Sequence, residues 1–212
     1  ESYNEEAGAH FTSRDIIYLM CDLLVEGDKN AFNNDGITKT VYDMTMGTSQ
    51  MLTCMEERLR QLDADADITL FGQEFNPFTF GIAKADMLIR GGDPDNMQFG
   101  DTLSDDKFGG YEFDYIISNP PFGIDWKREA TAVEAEQKRG TAGRFAPGLP
   151  AKSDGQMLFL MNGLAKLKSE GRMAIIQNGS SLFTGDAGSG QSEIRRYLIE
   201  NDWLDAIVQL PN

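Results

Sequence analysis

The stretch TKTVYDMTMGTSQMLTCMEERLRQL, residues 38–62, decides the fold. Its first part, Thr38–Asp43, is rich in β-prone residues and predicts a short strand. A loop through Gly47 follows, and Gln50–Leu62 has the pattern of a helix. A strand joined to a helix by a short loop is the unit from which parallel α/β sheets are built. The stretch therefore predicts one such unit.

The same alternation extends over the rest of the chain. Thr12–Glu26 predicts a helix, because its apolar residues recur at helical spacing. Further helices are predicted at Phe78–Ile89 (with Pro77 at its N-terminus), Gln156–Lys168 (ended by Gly171) and Glu193–Glu200, and further strands at Ile68–Glu74, Met97–Phe99, Glu112–Ser118, Met173–Gln177 and Trp203–Leu210. This order predicts an α/β fold with a doubly wound, mostly parallel sheet and right-handed crossovers.

One segment, Ile124–Asp154, interrupts the alternation, because its sequence predicts no helix or strand. A loop of that length in a compact domain is usually functional or disordered. We favour a functional loop, because it leaves the carboxyl end of a strand, where such folds bind ligands. We therefore predict one domain over residues 1–212 with a long loop at 124–154 beside the active site. The segment holds six of the 19 basic residues, namely Lys127, Arg128, Lys138, Arg139, Arg144 and Lys152.

Composition and charge limit the classes of function. A chain of 212 residues that is 41% hydrophobic can form one α/β domain with a substantial core. No apolar run approaches the length that spans a membrane. The formal net charge is −15, whereas a protein that holds DNA mainly by its own phosphate contacts is usually basic. A nucleic-acid substrate would therefore require a partner that supplies most of the positive charge.

The histidine and cysteine content argues against metal sites and catalytic triads. His10 is the only histidine, which nearly excludes a zinc site or a Ser-His-Asp triad. Cys21 and Cys54 lack the spacing of metal ligands, so we predict no metal site, and two cysteines fit a reducing, cytoplasmic location. Because the chain begins at Glu1 and stops at Asn212 directly after an apolar run, we expect it to be a piece of a longer polypeptide.

Three loops at predicted strand ends carry candidate ligand-binding residues. Asp43–Gln50 lies at the switch point of the sheet, where Gly47 lets the backbone approach a nucleoside-like ligand; an ordinary strand–helix turn is an equal alternative. Glu74 is placed to accept hydrogen bonds from ribose hydroxyls, or to oppose the dipole of the next helix. Asp101 is placed to hold an adenine amine, or to cap a turn or helix.

The most specific motif is Asn119-Pro120-Pro121-Phe122, directly after a predicted strand. An exocyclic amine of a nucleobase is a poor nucleophile, because its lone pair is conjugated into the ring. The Asn119 side-chain oxygen and the Pro120 carbonyl could accept its two N–H bonds and favour a pyramidal nitrogen. The prolines fix this geometry in advance, and Phe122 would stack on a base that has left the duplex. A proline-rich turn without function is the alternative.

With these motifs, the chain resembles the class I S-adenosylmethionine-dependent amino-methyltransferases, and most closely the modification (methylase) subunit of type I restriction–modification systems. The resemblance implies a catalytic role for Asn119, Pro120, Pro121 and Phe122. It implies cofactor contacts by the segment Ala9, His10, Phe11, Thr12, Ser13 and Arg14, which resembles the F-T-P-R segment of the family, by the loop residues Asp43, Gly47, Thr48, Ser49 and Gln50, and by Glu74 and Asp101.

The resemblance also implies an activity and partners. The expected reaction is transfer of a methyl group from S-adenosylmethionine to the N6 amine of adenine in DNA. The expected partners are a specificity subunit, which reads the DNA sequence, and a restriction subunit. A partner of this kind accounts for the acidic charge of the chain.

Two departures from the family pattern keep alternatives open. Ser13 stands where the family has a proline, and Ser49 follows Gly47-Thr48 where a second glycine is usual. The seventh, antiparallel strand of the family's sheet is missing from this sequence. One alternative is methylation of a glutamine side-chain amide in a protein, which uses a similar Asn-Pro-Pro turn. The other is a degenerate subunit that serves as a non-catalytic scaffold.

Overall fold

The computed structural model describes residues 11–28, 31–32 and 36–211. These residues divide between two compact units. The first, called the sheet unit below, comprises Glu1–Pro121 and Gly163–Ile176. The second unit comprises Phe122–Asn162 and Gln177–Asn212. That residues 1–212 form one domain therefore stays a prediction.

The sheet unit contains a five-stranded sheet in which every neighbouring pair is parallel. The strand order is β3-β2-β1-β4-β5, so the chain starts near the middle and winds to both edges. This arrangement confirms the predicted α/β fold with a doubly wound sheet. The strands are β1 (Thr38–Asp43), β2 (Asp67–Glu74), β3 (Met97–Phe99), β4 (Phe113–Ser118) and β5 (Leu167–Ile175).

Six α-helices are present in the described residues: α1 (Arg14–Glu26), α2 (Gln50–Leu62), α3 (Pro77–Ile89), α4 (Ala130–Gln137), α5 (Gln156–Leu164) and α6 (Gly190–Glu200). The amphipathic helices α1 and α2 contact each other and bury their apolar faces in the core of the sheet unit. That core includes Ile17 and Leu24 of α1, Leu52 and Leu59 of α2, and Val41 of β1. Burial of this apolar surface stabilises the sheet that carries the candidate site.

The structure differs from the prediction at the fifth strand. The helix predicted to reach Lys168 ends at Leu164, and β5 begins at Leu167 instead of Met173. Gly171, predicted to end the helix, lies inside β5 where the β4–β5 register shifts. A Cβ at this position would lie 2.8 Å from the carbonyl oxygen of Phe113, so the close approach of β4 requires glycine here.

Two further predictions about secondary structure are wrong. Trp203–Leu210 is not a strand: these residues make no strand pairing among the described residues and are mostly exposed. Their apolar character favours a strand only where another strand supplies hydrogen-bond partners. Segment 124–154, predicted to lack elements, contains α4 and a 3-10 turn at Gly140–Ala142. Its helical pattern is weak, because α4 buries only Ala130 and Val133.

Within the described ranges, no helix has both the length and the apolar character that crossing a membrane requires.

Candidate active site

The candidate site is built at the carboxyl ends of β1, β2 and β4, which lie side by side in the sheet. β1 ends at Asp43, β2 at Glu74, and β4 at Ser118, directly before Asn119. Parallel strands end at the same edge, so residues far apart in the sequence meet there. The structure thereby brings together the loop after β1, the acidic residues Asp43 and Glu74, and the Asn-Pro-Pro turn.

The loop after β1 is held against the end of β2 by its backbone. The Met46 amide donates to the Gln73 carbonyl (3.0 Å), and the Gly47 amide donates to Glu74 Oε2 (2.9 Å). Gly47 has φ +53°, a conformation that favours glycine, and a Cβ there would meet nothing within 4 Å. The loop therefore presents open backbone next to a buried carboxylate, and its nucleoside-binding role stays a prediction.

The Glu74 carboxylate organises two neighbouring backbone segments. Its Oε2 accepts from Gly47 and its Oε1 accepts from the Asn76 amide (2.7 Å), while the residue is only 8% exposed. The N-cap of α3 is Asn76, whose side chain accepts from the Phe78 and Thr79 amides. The contact with the Asn76 amide places the carboxylate at the N-terminus of α3, so the alternative of opposing the helix dipole is also compatible with the structure. The Glu74 carboxylate has further lone pairs, so it can also accept hydrogen bonds from ribose hydroxyls.

Asp101 caps a turn with one of its two carboxylate oxygens. Its Oδ1 accepts from the amides of Leu103 and Ser104, both at 2.8 Å, and from Ser104 Oγ at 3.0 Å. The turn-capping alternative is therefore present in the structure. Among the described residues, Oδ2 has no hydrogen-bond partner. Contact with an adenine amine through Oδ2 stays a prediction.

A buried network joins the end of β1 to the end of β4. Asp43 Oδ1 accepts from Ser118 Oγ (2.6 Å) and from the Thr45 amide (3.0 Å), and the Thr45 and Ser118 hydroxyls are 2.9 Å apart. Thr45 and Ser118 were not among the predicted site residues. The signal for Ser118 is a lone hydroxyl at the end of the apolar run Tyr115–Ile117. This network fixes the cofactor-loop candidate relative to the turn at Asn119.

Burial dominates the titration of Asp43. Desolvation raises its pKa from 3.8 to about 7, the negative charge of Glu74 adds to the rise, and the hydrogen bonds from Ser118 and Thr45 oppose it. The folded state therefore binds this proton more tightly than the unfolded state. The resulting stabilisation is fully present below about pH 4 and is lost as the pH rises through about 7.

We expect Asp43→Asn to gain stability relative to the native protein as the pH rises from 5 to 8. The uncharged amide avoids the cost of burying a carboxylate, and the relative gain should be about 2 kcal/mol over this range. Urea unfolding at several pH values measures it. The matched control is Asp67→Asn, on an exposed side chain at the start of β2. A stability difference that does not change with pH would contradict this account.

The Asn119 amide is oriented by one side-chain contact. Its Nδ2 donates to Thr12 Oγ1 at 2.8 Å. Its Oδ1 is buried and has no partner among the described residues. The Pro120 carbonyl likewise accepts no hydrogen bond within the described part of the chain. The two oxygens that the sequence predicts as amine acceptors thus have no hydrogen-bond partner among the described residues, although unpartnered buried acceptors are rare in proteins.

The other predicted site residues differ in how exposed they are. Pro120 is buried, and Pro121 and Gln50 are half-buried. Phe122 begins the second unit, so its stacking on a base stays a prediction. Phe11 is 81% exposed and Thr48 is exposed. Ser13 precedes α1 without a side-chain capping bond, and Arg14 begins that helix. Ala9 and His10 lie outside the described residues.

Ser49 occupies a backbone conformation that favours glycine. It has φ +69° and ψ 17°, is fully buried, and its hydroxyl has no hydrogen-bond partner among the described residues. A left-handed conformation costs a non-glycine residue roughly 1–2 kcal/mol. Glycine at this position would remove both the strain and the unpartnered hydroxyl.

We therefore expect Ser49→Gly to stabilise the protein by about 1 kcal/mol, which raises the melting temperature by about 2–4 °C. Calorimetric melting measures the change. The matched control is Ser13→Gly, because Ser13 also precedes a helix but has φ −61°. The control should be neutral or destabilising. Equal responses of the two variants would mean that backbone conformation does not decide the outcome.

Most of the basic side chains of segment 124–154 are paired within that segment. The Arg144 side chain is only 8% exposed and holds Glu136 through two side-chain bonds, at 2.8 and 2.6 Å. Lys152 pairs with Glu134 at 2.8 Å and Lys127 with Asp125 at 3.2 Å. Arg139 lies 3.6 Å from Glu136. The segment is therefore less of a cationic surface than its six basic residues suggest.

Comparison with known proteins gives consistent matches. The chain is 25% identical to the type I restriction enzyme MjaIX methylase subunit of Methanocaldococcus jannaschii, over 96% of this chain and 34% of that protein. It is 26% identical to the MpnII methylase subunit of Mycoplasma pneumoniae, over 100% of this chain and 38% of that protein. The chain thus spans well under half of the length of these relatives.

Solved structures and a family model agree with these matches. The crystal structure of a type I restriction-modification system methyltransferase subunit from Streptococcus thermophilus superposes with a TM-score of 0.72 at 28% identity, covering 92% of this chain and 39% of that one. The family model described as N-6 DNA Methylase matches residues 1–212. Since this match covers the whole sequence, the chain belongs to the N-6 DNA methylase family.

Proposed function

We propose that the protein containing this chain transfers a methyl group from S-adenosylmethionine to the N6 amine of adenine in DNA, as the methylase subunit of a type I restriction–modification system. The observation that carries the proposal is the pair of oxygens after β4, Asn119 Oδ1 and the Pro120 carbonyl, neither of which has a hydrogen-bond partner among the described residues. Membership of the family and the names of the relatives support the choice of substrate.

The two oxygens activate the amine by accepting its hydrogen bonds. An adenine amine has two N–H donors, and a planar nitrogen shares its lone pair with the ring. Acceptors on two fixed positions favour the pyramidal nitrogen and free the lone pair for attack. Pro120 and Pro121 hold the backbone stiff, so little reorganisation is needed at the moment of reaction. Phe122, next in the chain, is the proposed stacking partner of the flipped base.

The sheet unit has residues that fit the methyl donor. When bound, S-adenosylmethionine supplies a methyl group carried by a sulfonium. The open backbone at Gly47 would accommodate it, Glu74 would accept hydrogen bonds from the ribose hydroxyls, and Asp101 would accept one from the adenine amine through Oδ2. Each fit rests on an atom that is accessible or has spare hydrogen-bonding capacity in this structure.

Charge supports the proposed partners. A chain with a net charge of −15, whose basic segment is largely paired internally, is poorly suited to hold DNA by itself. A specificity subunit would supply the DNA-reading surface, and a restriction subunit would complete the system. Cys21 and Cys54 are both buried and unbridged, which supports the proposed cytoplasmic location.

The test is to express the full-length protein with its operon partners in a host without adenine methylation, beside a version with Asn119→Ala. Mass analysis of the DNA nucleosides should find N6-methyladenine with the native protein and a large loss with the variant. Methylated cytosine in place of methylated adenine would show that cytosine is the substrate base. Labelled methyl groups on protein glutamine would favour the glutamine alternative, and no transfer with any substrate would favour the scaffold.

A further inference from the structure

Thr12 makes a contact that its predicted role as a cofactor contact does not require. Its hydroxyl oxygen accepts the hydrogen bond from Asn119 Nδ2 at 2.8 Å, across 107 residues of sequence. Both residues belong to the sheet unit. Within the described part of the chain, this is the only hydrogen bond of the Asn119 side chain. Within the described residues, no other hydrogen bond fixes the positions of the oxygen and the NH2 group of this amide.

The orientation of the amide matters because its two ends have opposite chemistry. The oxygen end accepts hydrogen bonds, and the NH2 end donates them, although both have nearly the same shape. With the observed orientation, Oδ1 is the end left for a substrate amine. With the opposite orientation, an NH2 group would face another NH2 group, and neither can accept. A threonine hydroxyl can accept from Nδ2, and this hydrogen bond favours the productive orientation.

A hydroxyl can do this while keeping its own proton for another partner. Thr12 donates no hydrogen bond within the described residues, so its proton stays available to a ligand acceptor. The contact with Asn119 and the predicted contact with the cofactor are therefore compatible. They can be separated by experiment, because the contact with Asn119 requires an acceptor in the side chain at position 12. They also act on different quantities, namely recognition of the amine and affinity for the cofactor.

We infer that Thr12 is a positioning residue, which holds the Asn119 amide with its oxygen directed to the substrate amine. The inference rests on the proposed function. It assigns to the segment before α1 a role in recognising the amine that receives the methyl group.

The test uses the full-length protein with its partners, and the variants Thr12→Val and Thr12→Ser. Valine keeps the shape and removes the acceptor, whereas serine keeps the acceptor. Two quantities are measured: kcat for methyl transfer, and the ratio of the affinities for a duplex with adenine and one with purine at the target position. Purine lacks the exocyclic amine, so the ratio reports on amine recognition without requiring turnover.

Loss of one hydrogen bond that orients an acceptor should lower kcat and the affinity ratio by roughly tenfold in Thr12→Val. Thr12→Ser should restore both to near the native values. Calorimetric affinity for S-adenosylmethionine serves as a separate readout of the cofactor contact. If Thr12→Val weakens cofactor binding but leaves the adenine-to-purine ratio unchanged, the positioning role is wrong. Failure of the proposed function would appear differently, as absence of adenine methylation by the native protein.

Discussion

Replacing Asn119 by alanine is expected to lower the rate of methyl transfer about 10²–10³-fold, with little change in the affinity for S-adenosylmethionine. The substitution removes the buried Oδ1 acceptor and leaves the backbone carbonyl of Pro120 in place. One acceptor cannot hold both N–H bonds of the amine, so the nitrogen is no longer favoured in its reactive geometry. The loss should therefore fall on kcat, because the interaction strengthens as the nitrogen becomes pyramidal.

Single-turnover kinetics with labelled cofactor measure the rate, and calorimetry measures the cofactor affinity. Asn201→Ala, at an exposed position directly after α6, is the matched control and should leave both unchanged. A melting curve close to that of the native protein shows that the Asn119 variant is folded. Full activity in a folded Asn119→Ala protein would refute the acceptor role.

Replacing Glu74 by glutamine is expected to weaken binding of S-adenosylmethionine about 10–100-fold. Glu74 accepts hydrogen bonds from the Gly47 and Asn76 amides through different oxygens. Glutamine keeps the size but replaces one oxygen with an NH2 group, which would face one of these backbone donors. Glutamine also lacks the negative charge that would strengthen hydrogen bonds from the ribose hydroxyls, and loss of one such charge-assisted bond costs about 1.5–3 kcal/mol, equivalent to the stated change in affinity.

This defect should be a binding defect. At saturating cofactor the variant should approach the native kcat, because Glu74 does not contact the reacting amine in the proposed reaction. Glu170→Gln, on an exposed residue of β5, is the matched control. Unchanged cofactor affinity in a folded Glu74→Gln protein would remove Glu74 from the cofactor site.

Elements with a local signal were predictable from the sequence. Thr38–Asp43 and Gln50–Leu62 have the predicted bounds, because composition and periodicity alone define them. Gly171 was misassigned, because its role depends on the backbone of Phe113, which is distant in the sequence. Trp203–Leu210 has the composition of a strand, but composition does not supply a neighbouring strand to pair with.

In the candidate site, too, single residues could be predicted from the sequence, whereas contacts between distant residues could not. The motif Asn119-Pro120-Pro121 and the acid at Glu74 could be selected as candidates from the sequence, since each chemical role restricts the residue type. The pairing of Asn119 with Thr12 spans 107 residues and that of Asp43 with Ser118 spans 75. Such contacts depend on sheet order, and the sequence pattern of either partner does not specify the other.

The two oxygens after β4, Asn119 Oδ1 and the Pro120 carbonyl, also bear on product release. Once an amine has received one methyl group, it retains a single N–H bond. One of the two oxygens, Asn119 Oδ1 or the Pro120 carbonyl, must then lose its donor and stay dehydrated next to a methyl group. In the proposed reaction, the same corner that activates adenine therefore binds methylated adenine less well. This asymmetry favours departure of the product and opposes a second methylation of the same base.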